Sequence, residues 1–170
     1  HESFGTNWRM TEMQAVIGRI QLQRMQDWTA KRTANAHAIL DACEKWQDKG
    51  YLSVPRLEQT PEFADCTHAY YKLYVYVQPE NLPAGWSRDR IIAEINEQGV
   101  PCFSGSASEV YLEKAFDDTG LRPEIRLPIA KQLGETSLMF LVHPTLTEAE
   151  ITQTVEALDK VLARIDADAK

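Results

Sequence analysis

Apolar residues recur at helical spacing from Met13 through Val16, Ile17 and Ile20 to Met25 and Trp28, the signature of one apolar helix face. Thr11-Glu12-Met13-Gln14 sets the start, because a threonine hydroxyl and a glutamine three positions on satisfy each other's orphan backbone amides. A second stripe, Ile39, Leu40, Cys43 and Trp46, is out of phase with the first. That change predicts a kink or break at residues 26–30, and so two helices. Asp48-Lys49-Gly50 supplies the stop, since glycine tolerates the left-handed conformation that ends helices.

Residues 52–54 read as a short strand. Residues 56–67 read as a loop, with Pro55 just before and Pro61 inside it. Residues 70–77, Tyr-Tyr-Lys-Leu-Tyr-Val-Tyr-Val, are rich in the aromatic and β-branched types that suit a pleated surface. Tyr71, Leu73, Val75 and Val77 then share one face, and Tyr70, Lys72, Tyr74 and Tyr76 the other. Ser87 caps a helix over 88–98 with Ile91, Ile92 and Ile95 inward and Gly99 as its stop. A second strand follows at 100–103. Short helices are expected at 109–116 and 129–133, and a central strand at 137–142 between Gly134 and Pro144. Thr147-Glu148-Ala149-Glu150 is a second capping box, opening a closing helix through Ile151, Val155, Leu158, Leu162 and Ile165. Three main strands interleaved with helices predict an α+β, two-layer domain, and the one boundary suggested by the pattern lies near Trp28.

Charge narrows the partners. The 170 residues carry 18 Lys+Arg against 25 Asp+Glu, a net charge of −7. The cations are spread singly among carboxylates, which argues against nucleic acid and against an anionic membrane surface. With 44% hydrophobic residues, 8 Gly and 8 Pro, the composition is globular, and a chain this long buries roughly 70% of its unfolded surface. Disulfides or metals are therefore not needed for stability. Cys43, Cys66 and Cys102 are odd in number and far apart, which fits a reducing, cytoplasmic compartment. No apolar run reaches the roughly 20 residues that span a bilayer, and no leader is apparent. The chain begins at His1 and not at Met, as a processed or truncated piece would.

Candidate chemistry is sparse. Asn7-Trp8-Arg9 lies just ahead of a helix N-terminus, where exposed amides and the dipole favour anions. A nearby phosphate suits it, as does an ordinary turn with Arg9 paired to a surface carboxylate. Ser104-Gly105-Ser106-Ala107-Ser108 follows a strand and has the small polar character of a ligand loop or of a plain turn, without a Walker or G-x-G-x-x-G pattern. Tyr111 and Phe103 beside it are either stacking platforms or core. His1, His37, His68 and His143 lack metal-ligand spacing, and no G-x-S-x-G elbow anchors a hydrolase triad. Lys72, flanked by tyrosines, reads as a solvated or paired lysine and not as a Schiff-base former.

Gly5-Thr6-Asn7-Trp8-Arg9-Met10-Thr11-Glu12-Met13-Gln14-Ala15-Val16-Ile17-Gly18 resembles the G-x-N-x-R-M-[ST]-E-[ILM]-Q-A-A-[IL]-G stretch of the DegT/StrS-type sugar aminotransferases. His68-Ala69-Tyr70-Tyr71, the helix ending at Gly99-Val100, and the closing Leu146-Thr147 helix follow in that family's order. The resemblance implies the C-terminal part of a fold type I, pyridoxal-phosphate-dependent enzyme. Residues 1–28 would end the large domain and form the linking helix, and 29–170 would form the small domain, a mainly antiparallel sheet of about three strands packed on helices.

It implies amino transfer from glutamate or a related amino acid to a keto-sugar nucleotide, in surface polysaccharide or related amino-sugar biosynthesis, by a cytoplasmic homodimer. The family's Schiff-base lysine lies upstream of the matching asparagine, outside this chain. No catalytic residue is therefore expected here, and the chain alone should be inactive, supplying walls and orientation. Asn7 would reach across the dimer interface to the cofactor phosphate, with Arg9 lining the same cleft. Tyr71 stands where the family often has histidine close to the sugar, which keeps a hydrogen bond but removes a near-neutral titrating group. Residues 102–109 replace a Tyr-Pro…His segment found in many members, so Ser104, Ser106 and Tyr111 become the expected substrate contacts. Two alternatives remain: a standalone, non-catalytic α+β binding module whose apolar helix docks on a partner, and part of a dehydratase of the same fold and cofactor that carries histidine in place of the lysine.

Overall fold

The structure, a computed structural model, describes residues 2–57, 60–63 and 65–170. Its first element, α1 (Glu12–Asp48), is one unbroken helix of 37 residues, where the change of phase predicted two. Residues 26–30 contain neither Gly nor Pro, so nothing in the backbone forces a break. The Thr33 hydroxyl donates to the Thr29 carbonyl at 3.0 Å just beyond them. The two stripes differ in surroundings. Asn35, Ala36, Ile39, Leu40, Cys43 and Trp46 are buried, while Met13, Val16, Ile17, Ile20, Leu22 and Met25 are exposed. The helix starts as expected: Gln14 N–H donates to the Thr11 hydroxyl at 3.3 Å and Thr11 N–H to Gln14 Oε1 at 2.9 Å. It stops at Gly50, φ +82°.

Among the described residues four strands form one antiparallel sheet, β1 (Leu52–Ser53), β2 (Leu73–Val77), β3 (Cys102–Phe103) and β4 (Ser137–Phe140), in the order β1-β2-β4-β3. The register pairs Leu73 with Phe140, Val75 with Leu138, Leu52 with Val77, and Cys102 with Phe140. All of these side chains are buried on one face, against Ile39 and Leu40 of α1, Ile91 and Ile95 of α2 (Arg88–Glu97), and Leu158, Leu162 and Ile165 of α4 (Glu148–Asp168). The α+β, two-layer expectation holds, with four strands in place of about three.

Four boundaries moved. Strand β2 begins at Leu73 and not at residue 70, because Tyr70 takes a left-handed φ of 42° that no strand accommodates. Tyr71 is accordingly 83% exposed instead of sharing the buried face with Leu73. Strand β3 omits residues 100 and 101, since Pro101 has no N–H to give a ladder. Residues 109–116 form two 3-10 turns, Val110–Leu112 and Lys114–Phe116, and not one helix. Helix α3 (Pro128–Thr136) is longer than expected and opens on a proline, which suits a first helical turn.

Side-chain bonds fasten the helical layer. Trp46 Nε1 donates to Asp159 Oδ1 at 2.7 Å, and Trp86 Nε1 to Asp168 Oδ2 at 2.8 Å. The Arg90 guanidinium lies 3.9 Å from the centre of the Trp86 ring, inside the range of cation–π attraction.

Candidate functional site

Alternation along β2 turns Tyr74 and Tyr76 to the sheet face opposite the core, where Tyr76 is opposite Ser53 and Ser137, and Tyr74 opposite Met139. Helix α3 and the loop after β3 cover part of this face. Beside them opens a cavity of about 570 Å³, whose lining includes Arg56, Tyr71, Lys72, Tyr74, Tyr76 and Ser106. It joins the segment after β1, the turn before β2 and the loop after β3, three stretches far apart in sequence.

Each wall has a cause. Gly105 has φ +92°, and a Cβ there would stand 2.4 Å from Tyr74 Cε1. Only glycine lets the loop lie flat on that ring, and the contact brings Ser106 Oγ to 3.5 Å from the Tyr74 hydroxyl. Arg56 is anchored to α1 by Asp41 at 2.5 Å and Glu44 at 2.6 Å. Burial alone would lower its pKa, but hydrogen bonds and attraction from the two carboxylates outweigh that and hold it above the ordinary arginine value. Arg56 therefore stays protonated at the cavity wall, its charge paired with the two carboxylates. The Lys72 ammonium lies 5.6 Å from the centre of the Tyr71 ring, a second cation at the same mouth. Burial, helped by Tyr74, raises the pKa of Tyr76, so it stays a neutral phenol.

Of the expected contacts, Tyr71 and Ser106 meet in this cavity. Ser106 also lines a smaller space of about 400 Å³ toward α3, with Ser108, Ile129 and Leu133. Ser104 is exposed on the same loop, and its carbonyl accepts a 2.6 Å bond from the Ser137 hydroxyl. Tyr111 lies elsewhere and is committed to structure: its hydroxyl donates to Glu109 Oε1 at 2.6 Å and accepts from Leu127 N–H at 2.9 Å. Arg126 grips the same carboxylate through Nε at 2.9 Å and through Nη2. The hydrogen bonds from Arg126 first and Tyr111 second push the Glu109 carboxyl down to about 2.

Asn7 and Arg9 stand apart from the cavity, on the exposed segment ahead of α1, where Arg9 N–H donates to Asn7 Oδ1 at 3.1 Å. This segment touches the 3-10 turns through the Phe4 and Phe116 rings, 5.1 Å apart, and a 3.2 Å pair between Glu2 and Lys114. Arg56 had no local signal in the sequence; it enters the site only because β1 and β2 are neighbours. Among the described residues no cluster of His, Cys, Asp and Glu is placed to hold a metal ion.

Residues 1–159 match the DegT/DnrJ/EryC1/StrS aminotransferase family. The chain belongs to this family of sugar aminotransferases. The family's enzymes depend on pyridoxal phosphate. The chain is similar to the erythromycin biosynthesis sensory transduction protein EryC1 of Saccharopolyspora erythraea, 30% identical over 99% of this chain and 40% of the relative. A dTDP-3-amino-3,4,6-trideoxy-alpha-D-glucose transaminase of Streptomyces venezuelae is 26% identical over 98% of the chain and 39% of the relative. The X-ray structure of an aminotransferase from Psychrobacter cryohalolentis superposes with a TM-score of 0.91 and 81% identity, covering 98% of this chain and 42% of that one. The chain thus spans about two fifths of the length of these relatives. No helix among the described residues is long and apolar enough to cross a membrane.

Proposed function

We propose that this chain is the C-terminal portion of a pyridoxal-phosphate-dependent aminotransferase that moves an amino group from an amino acid, glutamate in this reading, to a keto-sugar nucleotide. In this reading residues 1–28 end the large domain and link it to the small domain of 29–170. The whole enzyme works as a cytoplasmic homodimer in surface polysaccharide or related amino-sugar biosynthesis.

The observation that carries the substrate class is the cavity on the outer sheet face. Its tyrosine walls offer stacking area for a base or sugar, while the Lys72 ammonium at the mouth offers positive charge to a diphosphate. Tyr71 and Ser106 add hydroxyls for sugar oxygens, with Ser104 next along the loop. Tyr111 acts on substrate only through the loop it pins.

The chain's own groups fit one end of the cofactor. The Asn7 carboxamide and the Arg9 guanidinium are exposed donors at the head of a helix, the chemistry that binds phosphate. When bound, the cofactor supplies an electron sink for the carbanion formed at the donor's α-carbon. Asn7 and Arg9 orient its phosphate, and the tyrosine-lined wall shields the sugar from water.

The test is to mix the purified chain with pyridoxal phosphate, glutamate and a dTDP-linked keto-sugar, then repeat with the preceding part of the reading frame co-expressed. 2-Oxoglutarate release only in the second mixture supports the reading. Release by the chain alone, or by neither mixture across several keto-sugar nucleotides, overturns it.

A further inference from the structure

The turn that enters β2 contains a feature that neither sheet nor core requires. Tyr70 is a bulky, non-glycine residue with φ 42°, a conformation rarely adopted by side chains of this size. Its backbone N–H donates to Nδ1 of His68, two residues back, at 2.9 Å. The two rings stand 4.3 Å apart between centroids. On its other side Tyr70 meets His37 of α1 edge-on, with centroids 5.8 Å apart, and it is buried. The left-handed residue reverses the alternation an extended strand would give: Tyr70 is buried and Tyr71 turns outward to the cavity mouth. In an ordinary extended strand Tyr71 would share the buried face with Leu73.

We infer that His68 is the positioning residue for Tyr71: its unprotonated Nδ1 closes the turn that holds Tyr70 left-handed and thereby presents Tyr71 to the ligand. The inference rests on the proposed nucleotide-sugar site and names what fixes the geometry of one of its walls. An imidazole accepts at Nδ1 only when neutral; as imidazolium both ring nitrogens are donors. Protonation therefore replaces the acceptor with a second N–H facing Tyr70 N–H, and the turn opens. The groups that share this surrounding are His37 from α1, Arg56 after β1, and Lys72, Tyr74 and Tyr76 of the β2 segment.

The experiment compares the wild-type chain with His68→Asn and His68→Phe. Asparagine keeps a side-chain acceptor two residues before the N–H, as in an Asx turn, and does not titrate. Phenylalanine keeps the ring stack and loses the acceptor. In nitrogen–proton correlation spectra, the Tyr70 amide of the wild type should sit in its bonded position at pH 8. It should move as pH falls, with the same midpoint as the His68 ring protons. In His68→Asn it should stay bonded at both ends of the titration, and in His68→Phe it should be displaced at both. The Val75 and Leu138 amides of the sheet report that each variant is folded. A Tyr70 amide that ignores the His68 titration, or that stays in place in a folded His68→Phe chain, overturns the inference.

Binding of dTDP at pH 8 is the second readout. His68→Phe should weaken it about tenfold, matching the cost of a left-handed side-chain residue left without support, and His68→Asn should restore it to within about twofold. Equal binding by all three chains overturns the claim that the turn presents Tyr71 to the ligand. Absence of dTDP binding by the wild type counts against the nucleotide-sugar reading of the cavity, while the amide titration still decides the role of His68 in the turn.

Discussion

Gly105 lies so close to Tyr74 that a single added carbon would fall 2.4 Å from the ring. The consequence is a loop laid against the tyrosine with Ser106 at the edge of the cavity. Gly105→Ala should cost about 1–3 kcal/mol of stability, from overpacking together with an unfavourable positive φ. It should also weaken dTDP binding by moving Ser106. Urea denaturation and a dTDP titration check both, and an unchanged midpoint would mean that the loop has another way to sit.

The Glu109 carboxyl makes the same loop sensitive to acid. Its folded value of about 2 is below its ordinary 4.5, so the unfolded state binds the proton more readily. The stabilisation it gives is present above pH 4.5 and is lost as pH falls through 2. Hydrogen exchange at the Leu127 amide, which the Tyr111 hydroxyl accepts, should accelerate over that window in the wild type relative to sheet amides. In Glu109→Gln it should already be fast at pH 6.

Thiol reactivity should separate the three cysteines. Cys43 and Cys102 are buried, with burial chiefly responsible for pushing both thiols up to about 12, and Cys66 is exposed. A thiolate-selective disulfide reagent at pH 8 should modify Cys66 alone in the folded chain and all three in denaturant. Rapid native labelling of Cys43 would show that the α1–α4 packing opens readily.

The legible part of the fold was whatever depended on local pattern. Both capping boxes, the Gly50 stop, the Ser87 cap and the alternation of Leu73, Val75 and Val77 follow from neighbours within a few residues. The illegible part depended on tertiary surroundings. A change of helical phase at residues 26–30 looks the same whether the helix breaks or the surroundings change, and here the surroundings change. Tyr70 and Tyr71 read as strand because propensity cannot register a turn closed by His68. Of the residues lining the cavity, Tyr71 was singled out by its place in the resemblance and Ser106 by a loop that departs from the family's segment. Tyr111 was near in sequence but is spent on Glu109 and Leu127, and Arg56 was invisible until β1 paired with β2.

Exposure along the outer half of α1 predicts self-association. Met13 is 77% exposed, and Ile17 and Ile20 lie on the same stretch, also exposed, a patch of the kind that seeks a cover. The isolated chain should sediment as concentration-dependent oligomers. Ile17→Glu should reduce them while changing stability by no more than about 0.5 kcal/mol, as for other surface substitutions. A strictly monomeric wild-type chain would favour the self-contained binding module over a portion of a larger enzyme.

Because α1 runs unbroken from its bare stripe to the packed core, the azimuth of one fixes the azimuth of the other. Each residue added between them would swing the stripe by about 100° around the axis, and seven would return it almost to register. Whatever body lies on Met13 and Ile17 is thus indexed angularly to the tyrosine-lined cavity, and the spacing between Ile20 and Asn35 acts as the ruler that sets their mutual orientation.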